Sequence, residues 1–147
     1  MDETYRTRIT GVGPQAAELA AYQILILFAH GAPPELAEIS LLHEPDRIAQ
    51  DDPLVQPGDR VRLGSEVFTV TAVGEVANRN LRQLGHAVFK FTGLAEPEMP
   101  GDLILEAGPV PHLEAGATVA IQRSAEPSPP GAGETVKEAF GIDRTQS

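Results

Sequence analysis

Ile24-Leu25-Ile26-Leu27-Phe28 is a continuously apolar stretch, and with Ala29 it makes up the longest apolar run of the chain. A run of this length matches a β-strand that is covered on both faces, whereas a membrane-spanning helix needs about 20 apolar residues. A second apolar segment, residues 39–42, leads directly to His43 and predicts another strand. The two segments together indicate a fold built on short buried strands.

The first predicted strand covers residues 4–13, and its residues alternate between an apolar and a polar side. Tyr5, Thr7 and Ile9 fall on one side, and Arg6, Arg8 and Thr10 fall on the other. Such alternation is typical of a strand with one solvated face.

Further strands are predicted downstream, and they are short. They cover residues 60–63, 67–73, 87–91, 103–105 and 118–121. Helical segments are predicted at residues 14–22, 33–38 and 75–84, where Gly85 is well placed as a C-terminal stop. Residues 44–56 are polar, contain two prolines and predict a loop. About eight short strands with two or three short helices predict a mainly β, barrel-like domain, although the strand order cannot be read from this pattern.

The chain divides by composition into two parts. Its 147 residues suit one core, which we assign to residues 1–123. Residues 124–147 begin with a segment rich in Pro, Gly and Ser, and we expect a flexible C-terminal tail there.

The charge and composition restrict the classes of partner. A net charge of −10 disfavours binding to nucleic acid or anionic lipid and favours a partner with a basic face, although it also serves plain solubility. The absence of cysteine excludes disulfides and thiol chemistry. We find no apolar stretch for direct membrane insertion and no signal-peptide pattern at the N-terminus, so we expect a cytoplasmic protein.

The candidate chemical groups are the four histidines, His30, His43, His86 and His112. Their spacing contains no close pair of metal ligands, so we predict no metal site. His43 differs from the others because it follows an apolar strand and precedes a polar loop. That position predicts an accessible ring at the end of a strand, as a nucleophile visited by partner proteins would require.

Several motifs resemble one family in their order and spacing. They are Gly31-Ala32-Pro33 with Leu36 and His43, Thr71-Ala72-Val73-Gly74 with Asn80-Leu81, Leu84-Gly85-His86, Phe91 with Gly93, Pro100-Gly101 and Gly108-Pro109. Between about Tyr5 and Ile121 the chain resembles the glucitol/sorbitol-specific enzyme IIA of the bacterial sugar phosphotransferase system.

The resemblance implies a phosphoryl relay without a cofactor. HPr, phosphorylated from phosphoenolpyruvate by enzyme I, would donate a phosphoryl group to His43. The phosphohistidine would then pass the group to the IIB domain of a glucitol/sorbitol-type membrane permease, which phosphorylates the incoming polyol. Imidazole suits this role because it is a nucleophile when neutral and has an ordinary pKa of about 6.5.

Two further residues are candidates for supporting the phosphohistidine. His86 would contact the phosphate or the His43 ring, although a turn histidine bonded to backbone is an equal reading. Asp46, three residues after His43, could orient the ring. The segment Glu44-Pro45-Asp46 differs from the Gly- and His-bearing loop that is associated with the family.

Two other functions remain open from the sequence. A non-catalytic β-barrel module with a binding or regulatory role would share the fold without the phosphotransfer. A hydrolase is a third reading, but Ser40 and Ser65 lack the context of a hydrolase nucleophile. Exposed strand edges would favour a homodimer.

Overall fold

The computed structural model describes residues 3–29 and 32–124 and contains eight strands and three helices. The strands are β1 (Glu3–Val12), β2 (Ile24–Phe28), β3 (Leu41–Ile48), β4 (Arg60–Leu63), β5 (Glu66–Val73), β6 (Ala87–Lys90), β7 (Asp102–Leu105) and β8 (Thr118–Gln122). The helices are α1 (Ala16–Ala20), α2 (Pro34–Ala37) and α3 (Ala77–Leu84). The prediction of a mainly β domain is confirmed. The predicted tail lies outside the described residues, except for Ser124.

The strands form a closed barrel in the order β1-β3-β2-β6-β7-β5-β4-β8. Most neighbours are antiparallel, but β2 runs parallel to β3 and β6 runs parallel to β7. Antiparallel pairing of β1 with β8 completes the ring. Since each described strand has a neighbour on both sides, the edge-based argument for a homodimer is wrong, and a second copy would have to use another surface.

The alternation predicted for β1 is confirmed. Tyr5, Thr7 and Ile9 face the interior, whereas the arginines and Thr10 between and after them face solvent. The interior is filled by aromatic and aliphatic side chains from all around the barrel, including Phe89, Phe91, Leu103, Leu105 and Ile121. Removing such apolar surface from water is the main stabilising term of the fold.

Strand β3 is longer than the sequence predicted. The segment after His43 was expected to be a loop, but β3 continues through Pro45 to Ile48. Pro45 is tolerated because the pairing of β1 with β3 shifts register between Arg6 and Thr7, and proline occurs in sheets mainly at such irregularities. His43 therefore lies inside a strand.

Helix α3 ends where the sequence predicted. Gly85 adopts a left-handed conformation with φ 61°, and its N–H donates to the Leu81 carbonyl over 3.0 Å. The N–H of His86 donates to the Asn80 carbonyl over 3.2 Å. Glycine has no Cβ to oppose this conformation and is therefore the usual residue at such a helix end. Only Gly85 and His86 separate α3 from β6.

Candidate functional site

The His43 ring points into the barrel and is only 2% exposed. The prediction of an accessible ring at a strand end is wrong. Side chains alternate along a strand, and in β3 Leu41 and His43 face inward while Glu44 faces outward. The ring is buried because the strand continues beyond it.

Both ring nitrogens of His43 have hydrogen-bond partners. Nδ1 lies 2.5 Å from Oγ1 of Thr7, and Nε2 lies 2.6 Å from the carbonyl oxygen of Gly85. A carbonyl only accepts, so Nε2 carries a proton and donates it to Gly85. In the neutral ring, Nδ1 then accepts from the Thr7 hydroxyl. The two partners fix both the tautomer and the orientation of the imidazole.

Thr7 is the site residue that sequence reasoning missed. It is 0% exposed and lies on β1, opposite Pro45 of β3, while the adjacent inward residue Ile9 lies opposite His43. Thr7 and His43 are therefore diagonal neighbours on the inner face of the sheet. The available signal was a polar residue on the apolar side of β1, between Tyr5 and Ile9.

Gly85 meets the ring through its backbone. A Cβ atom built at this position would lie 3.1 Å from both Cε1 and Nε2 of His43 and would overlap the Cβ of Ala29. The position therefore needs glycine for its left-handed conformation and for the close approach of the ring.

Tyr5 forms the wall next to His43. Their ring centroids are 6.4 Å apart, and Tyr5 is fully buried. Burial raises the pKa of the Tyr5 phenol, so it stays neutral over the physiological range. Among the described residues, its hydroxyl has no hydrogen-bond partner, and the same holds for the buried hydroxyl of Ser40. Around His43, the Tyr5 ring therefore accompanies the two polar partners, the Thr7 hydroxyl and the Gly85 carbonyl.

The sequence candidates other than His43 that the structure describes are His86, Asp46 and His112. The His86 ring stacks on Phe28 with centroids 4.7 Å apart, and its Nδ1 lies 3.4 Å from the Leu27 carbonyl. That contact corresponds to the reading of His86 as a turn histidine bonded to backbone. The His43 ring is supported on this side by the backbone carbonyl of Gly85. Asp46 is exposed on the outer face of β3, so the prediction that it orients the ring is wrong. His112 is exposed and contacts Glu114 at 3.0 Å, and His30 lies outside the described residues.

A cleft of about 780 Å³ lies between α3 and the segment that follows β3. Arg82 closes one side, because its guanidinium donates to the carbonyls of Ala49 and Asp51 over 3.0 and 2.5 Å. Arg79, Asp52 and Glu75 also line it, so its charges are mixed. His43 is not among the lining residues.

The described part of the chain contains no cluster of three or more His, Cys, Asp or Glu side chains that could hold a metal ion. None of the helices within residues 3–29 and 32–124 is long and apolar enough to cross a membrane.

The chain matches known proteins over most of the barrel. Residues 4–120 match the family model of the PTS system glucitol/sorbitol-specific IIA component. The curated glucitol/sorbitol-specific EIIA components of Shigella flexneri and Escherichia coli (strain K12) are each 41% identical over 111 residues, which cover 76% of this chain and 87% of each relative. A crystal structure of a PTS system IIA component from Enterococcus faecalis V583 shares the fold, with a TM-score of 0.68 and 21% identity over 80% of this chain and 99% of that chain.

A closed β barrel with these relatives defines a component of the sugar phosphotransferase system. Within that class, the chain belongs to the family of glucitol/sorbitol-specific IIA components, as the resemblance of its motifs indicated. Membership of this family implies phosphotransferase activity.

Proposed function

We propose that this protein is a cytoplasmic phosphoryl carrier, which accepts a phosphoryl group from HPr on His43 and passes it to the IIB domain of a glucitol/sorbitol permease. The observation that supports this most is family membership, since the match covers residues 4–120 and includes His43. The carrier needs no cofactor, because the imidazole itself forms the bond to phosphorus.

The hydrogen bonds of His43 suit a phosphoryl acceptor in one respect. Phosphoryl transfer requires mostly positioning and charge stabilisation, and an imidazole held through both nitrogens has a defined position. One nitrogen of the ring has to keep its proton while the other attacks phosphorus. Thr7 and Gly85 are the groups that determine which nitrogen keeps the proton and which nitrogen attacks phosphorus.

The burial of His43 adds a requirement to the carrier function. A ring that is 2% exposed cannot meet a phosphoryl group on another protein without a change of conformation. The proposed carrier therefore has to uncover His43 when a partner docks, as in other proteins where a ligand selects or induces an open state.

The charge of the protein fits transient docking of a basic carrier. A net charge of −10 would steer an HPr-type protein with a basic and apolar face toward the barrel. Encounters of this kind are short-lived and bury less than about 1,200 Å².

The test is transfer of labelled phosphate from phosphoenolpyruvate through enzyme I and HPr. The wild type is expected to take up an acid-labile, base-stable label, and the near-isosteric variant His43→Gln is expected to lose it. His112→Gln is the matched control, because it removes an exposed imidazole from the same barrel. Uptake by His43→Gln together with loss in His86→Gln would show that the reactive ring is His86.

A second candidate function is favoured by the burial of His43. In a non-catalytic barrel module, the ring would serve only to join β1, β3 and the end of α3 through its two hydrogen bonds. The same assay separates the two functions: for such a module the wild type stays unlabelled, while His43→Gln still changes the unfolding midpoint.

A further inference from the structure

The two nitrogens of His43 are covered by different parts of the fold, one by a paired strand and the other by a short link. Thr7, which faces Nδ1, lies in the middle of β1, and β1 is paired with β3 on one side and with β8 on the other. Uncovering Nδ1 would mean opening the barrel wall.

Gly85, which faces Nε2, lies in the short link between α3 and β6. The preceding residue Leu84 is 43% exposed, so the protein surface is close on this side. Nε2 is therefore the nitrogen that can be uncovered while all the strands keep their neighbours.

On the basis of the proposed carrier function, we propose that the Gly85 carbonyl is a removable cap on Nε2 and that Thr7 is the positioning residue that holds the proton on Nδ1 when the cap is off. In the resting protein Nε2 donates to Gly85 and Nδ1 accepts from Thr7. In the reactive state Nδ1 donates to Thr7, and the lone pair of Nε2 is available to phosphorus.

A threonine hydroxyl can serve both states because it is a donor and an acceptor. When the cap leaves, the ring tilts into the opening on the Gly85 side, where Nε2 releases its proton to water and Nδ1 takes one up from water before it returns to Thr7. The net charge of the ring is therefore unchanged. The Thr7 hydroxyl keeps its own proton and rotates. A valine of the same shape could not accept a hydrogen bond from the protonated Nδ1.

The transfer step then balances without a further reagent. The lone pair of Nε2 forms the bond to phosphorus, while the bond between phosphorus and the donor breaks and leaves its electron pair on the donor. Nδ1 keeps its proton throughout and remains bonded to Thr7.

The conformation of Gly85 is suited to the movement of the cap. Rotation of the peptide between Gly85 and His86 would turn the carbonyl away from Nε2 and break the 3.2 Å hydrogen bond from His86 to Asn80. The bond from the Gly85 N–H to the Leu81 carbonyl, which ends α3, belongs to the preceding peptide and can stay. The rotation changes ψ of Gly85 and φ of His86, and at the positive φ of Gly85 the other range of ψ is open only to a residue without a Cβ.

The experiment measures single-turnover phosphorylation by phospho-HPr in three variants. Thr7→Val removes the hydroxyl while keeping the shape, Thr7→Ser keeps the hydroxyl, and Thr4→Val is the matched control. Thr4 lies on the same strand and is equally buried, but its hydroxyl donates to the Leu54 and Ile121 carbonyls. Any general effect of burying a valine on β1 should therefore appear in Thr4→Val as well.

We expect Thr7→Val to lower the rate constant about 10-fold or more, since one hydrogen bond that selects the reactive tautomer is lost. Thr7→Ser and Thr4→Val should stay within about 3-fold of the wild type, because the hydroxyl at position 7 is present in both. The donor concentration for half-maximal rate should be the same in all four proteins, as Thr7 is too deep to touch a partner. A folded Thr7→Val that reacts as fast as the wild type would overturn the proposal.

Nitrogen-15 NMR of histidine-labelled protein gives a readout that a structural role of Thr7 would not move. Before phosphorylation, His43 should be protonated at Nε2. After phosphorylation, phosphorus should couple to Nε2, and Nδ1 should carry the proton. Phosphorus coupled to Nδ1 would contradict the inference but leave the carrier function intact, whereas no label in the wild type would contradict both.

Discussion

At the scale of single residues, the central feature is a polar ring that is buried with its hydrogen bonds satisfied. His43 bonds a side chain from β1 and a backbone carbonyl from the end of α3. Buried polar groups need such partners, because an unpaired group loses its hydration without compensation. The same two bonds fix the tautomer, so under the proposed carrier function stability and chemistry depend on the same atoms.

Truncation of His43 should therefore destabilise the barrel. His43→Ala leaves a cavity and two buried polar groups without a partner, and we expect it to lower the free energy of unfolding by about 2–4 kcal/mol. His43→Gln retains a donor and an acceptor and should cost less. Urea denaturation of both variants measures the difference, and a loss below about 1 kcal/mol for His43→Ala would contradict the described burial.

The sequence indicated His43 as a candidate residue but did not describe its surroundings. Thr7 comes 36 residues earlier and Gly85 comes 42 residues later, so only the pairing of β1 with β3 and the end of α3 bring them together. The exposure of the ring was predicted incorrectly because the polar residues after His43 resembled a loop. They instead continue β3 as far as Ile48, across a register shift between β1 and β3 at Pro45.

At the scale of elements, the link between α3 and β6 is the part of the barrel that the site depends on most. Its glycine combines a left-handed backbone with close contact to Ala29 and His43. Gly64 offers a comparison, because its φ of 65° is nearly the same. Among the described residues, a Cβ built there would meet only the end of the Leu113 side chain, at 3.2 Å. A comparison of alanine variants at the two positions therefore separates the cost of backbone strain from the cost of tight packing.

We expect Gly85→Ala to cost more stability than Gly64→Ala. Both variants place a Cβ on a left-handed residue, which costs about 1 kcal/mol, but only Gly85→Ala also forces the Ala29 Cβ and the His43 ring away from the new Cβ. Thermal or urea unfolding of the two variants gives the comparison. Equal losses would mean that the ring and the glycine are not in contact.

A partly buried ion pair joins β6 to β7. Lys90 Nζ lies 2.9 Å from Asp102, whose side chain is 3% exposed and also accepts hydrogen bonds from the backbone of Glu98 and Met99. Desolvation lowers the pKa of Lys90, but the hydrogen bonds and charges of Asp102 and Glu98 outweigh it and raise the pKa above the ordinary 10.5.

Replacing Lys90 should lower the free energy of unfolding by an amount that depends on pH. Lys90→Met leaves the Asp102 carboxylate without its cation, and at pH 7 we expect a loss of roughly 2–3 kcal/mol. Because the pKa of the lysine is raised in the folded protein, the lysine stabilises the fold fully at any pH below its pKa in the unfolded chain. That contribution is lost as the pH rises through its pKa in the folded protein. The difference between variant and wild type in urea denaturation should therefore shrink above about pH 10.5. A cost that grows with alkaline pH would contradict this assignment.

The positions of most elements could be predicted, but their pairing could not. Segments 24–28 and 60–63 were predicted with the bounds that the structure has, because apolar continuity and turn residues mark them. The parallel pairs of β2 with β3 and of β6 with β7 depend on contacts across intervening segments. No local pattern in the sequence encodes them.

At the scale of the whole molecule, the barrel is closed and the chain as a whole is strongly acidic. A closed barrel offers no strand edge to a partner, so docking has to use side chains and loops. With a net charge of −10, the long-range attraction of a basic donor should contribute to its encounter with the barrel.

Salt should therefore weaken the binding of HPr more than it slows the phosphoryl transfer itself. Between about 0.05 and about 0.5 M NaCl, we expect the donor concentration for half-maximal rate to rise several-fold, because surface charges are screened. The maximal single-turnover rate constant should change little, since His43 and its partners are buried. A salt-independent or tighter encounter would contradict the role assigned to the acidic surface.

The most direct test of the account is the position of the phosphate in the wild-type chain. Protein labelled through enzyme I and HPr is digested under alkaline conditions, and the phosphorylated peptide is identified by mass spectrometry. The account predicts that the label is on the peptide with His43. A label on the peptide with His86 or His112, or no label at all, would contradict it.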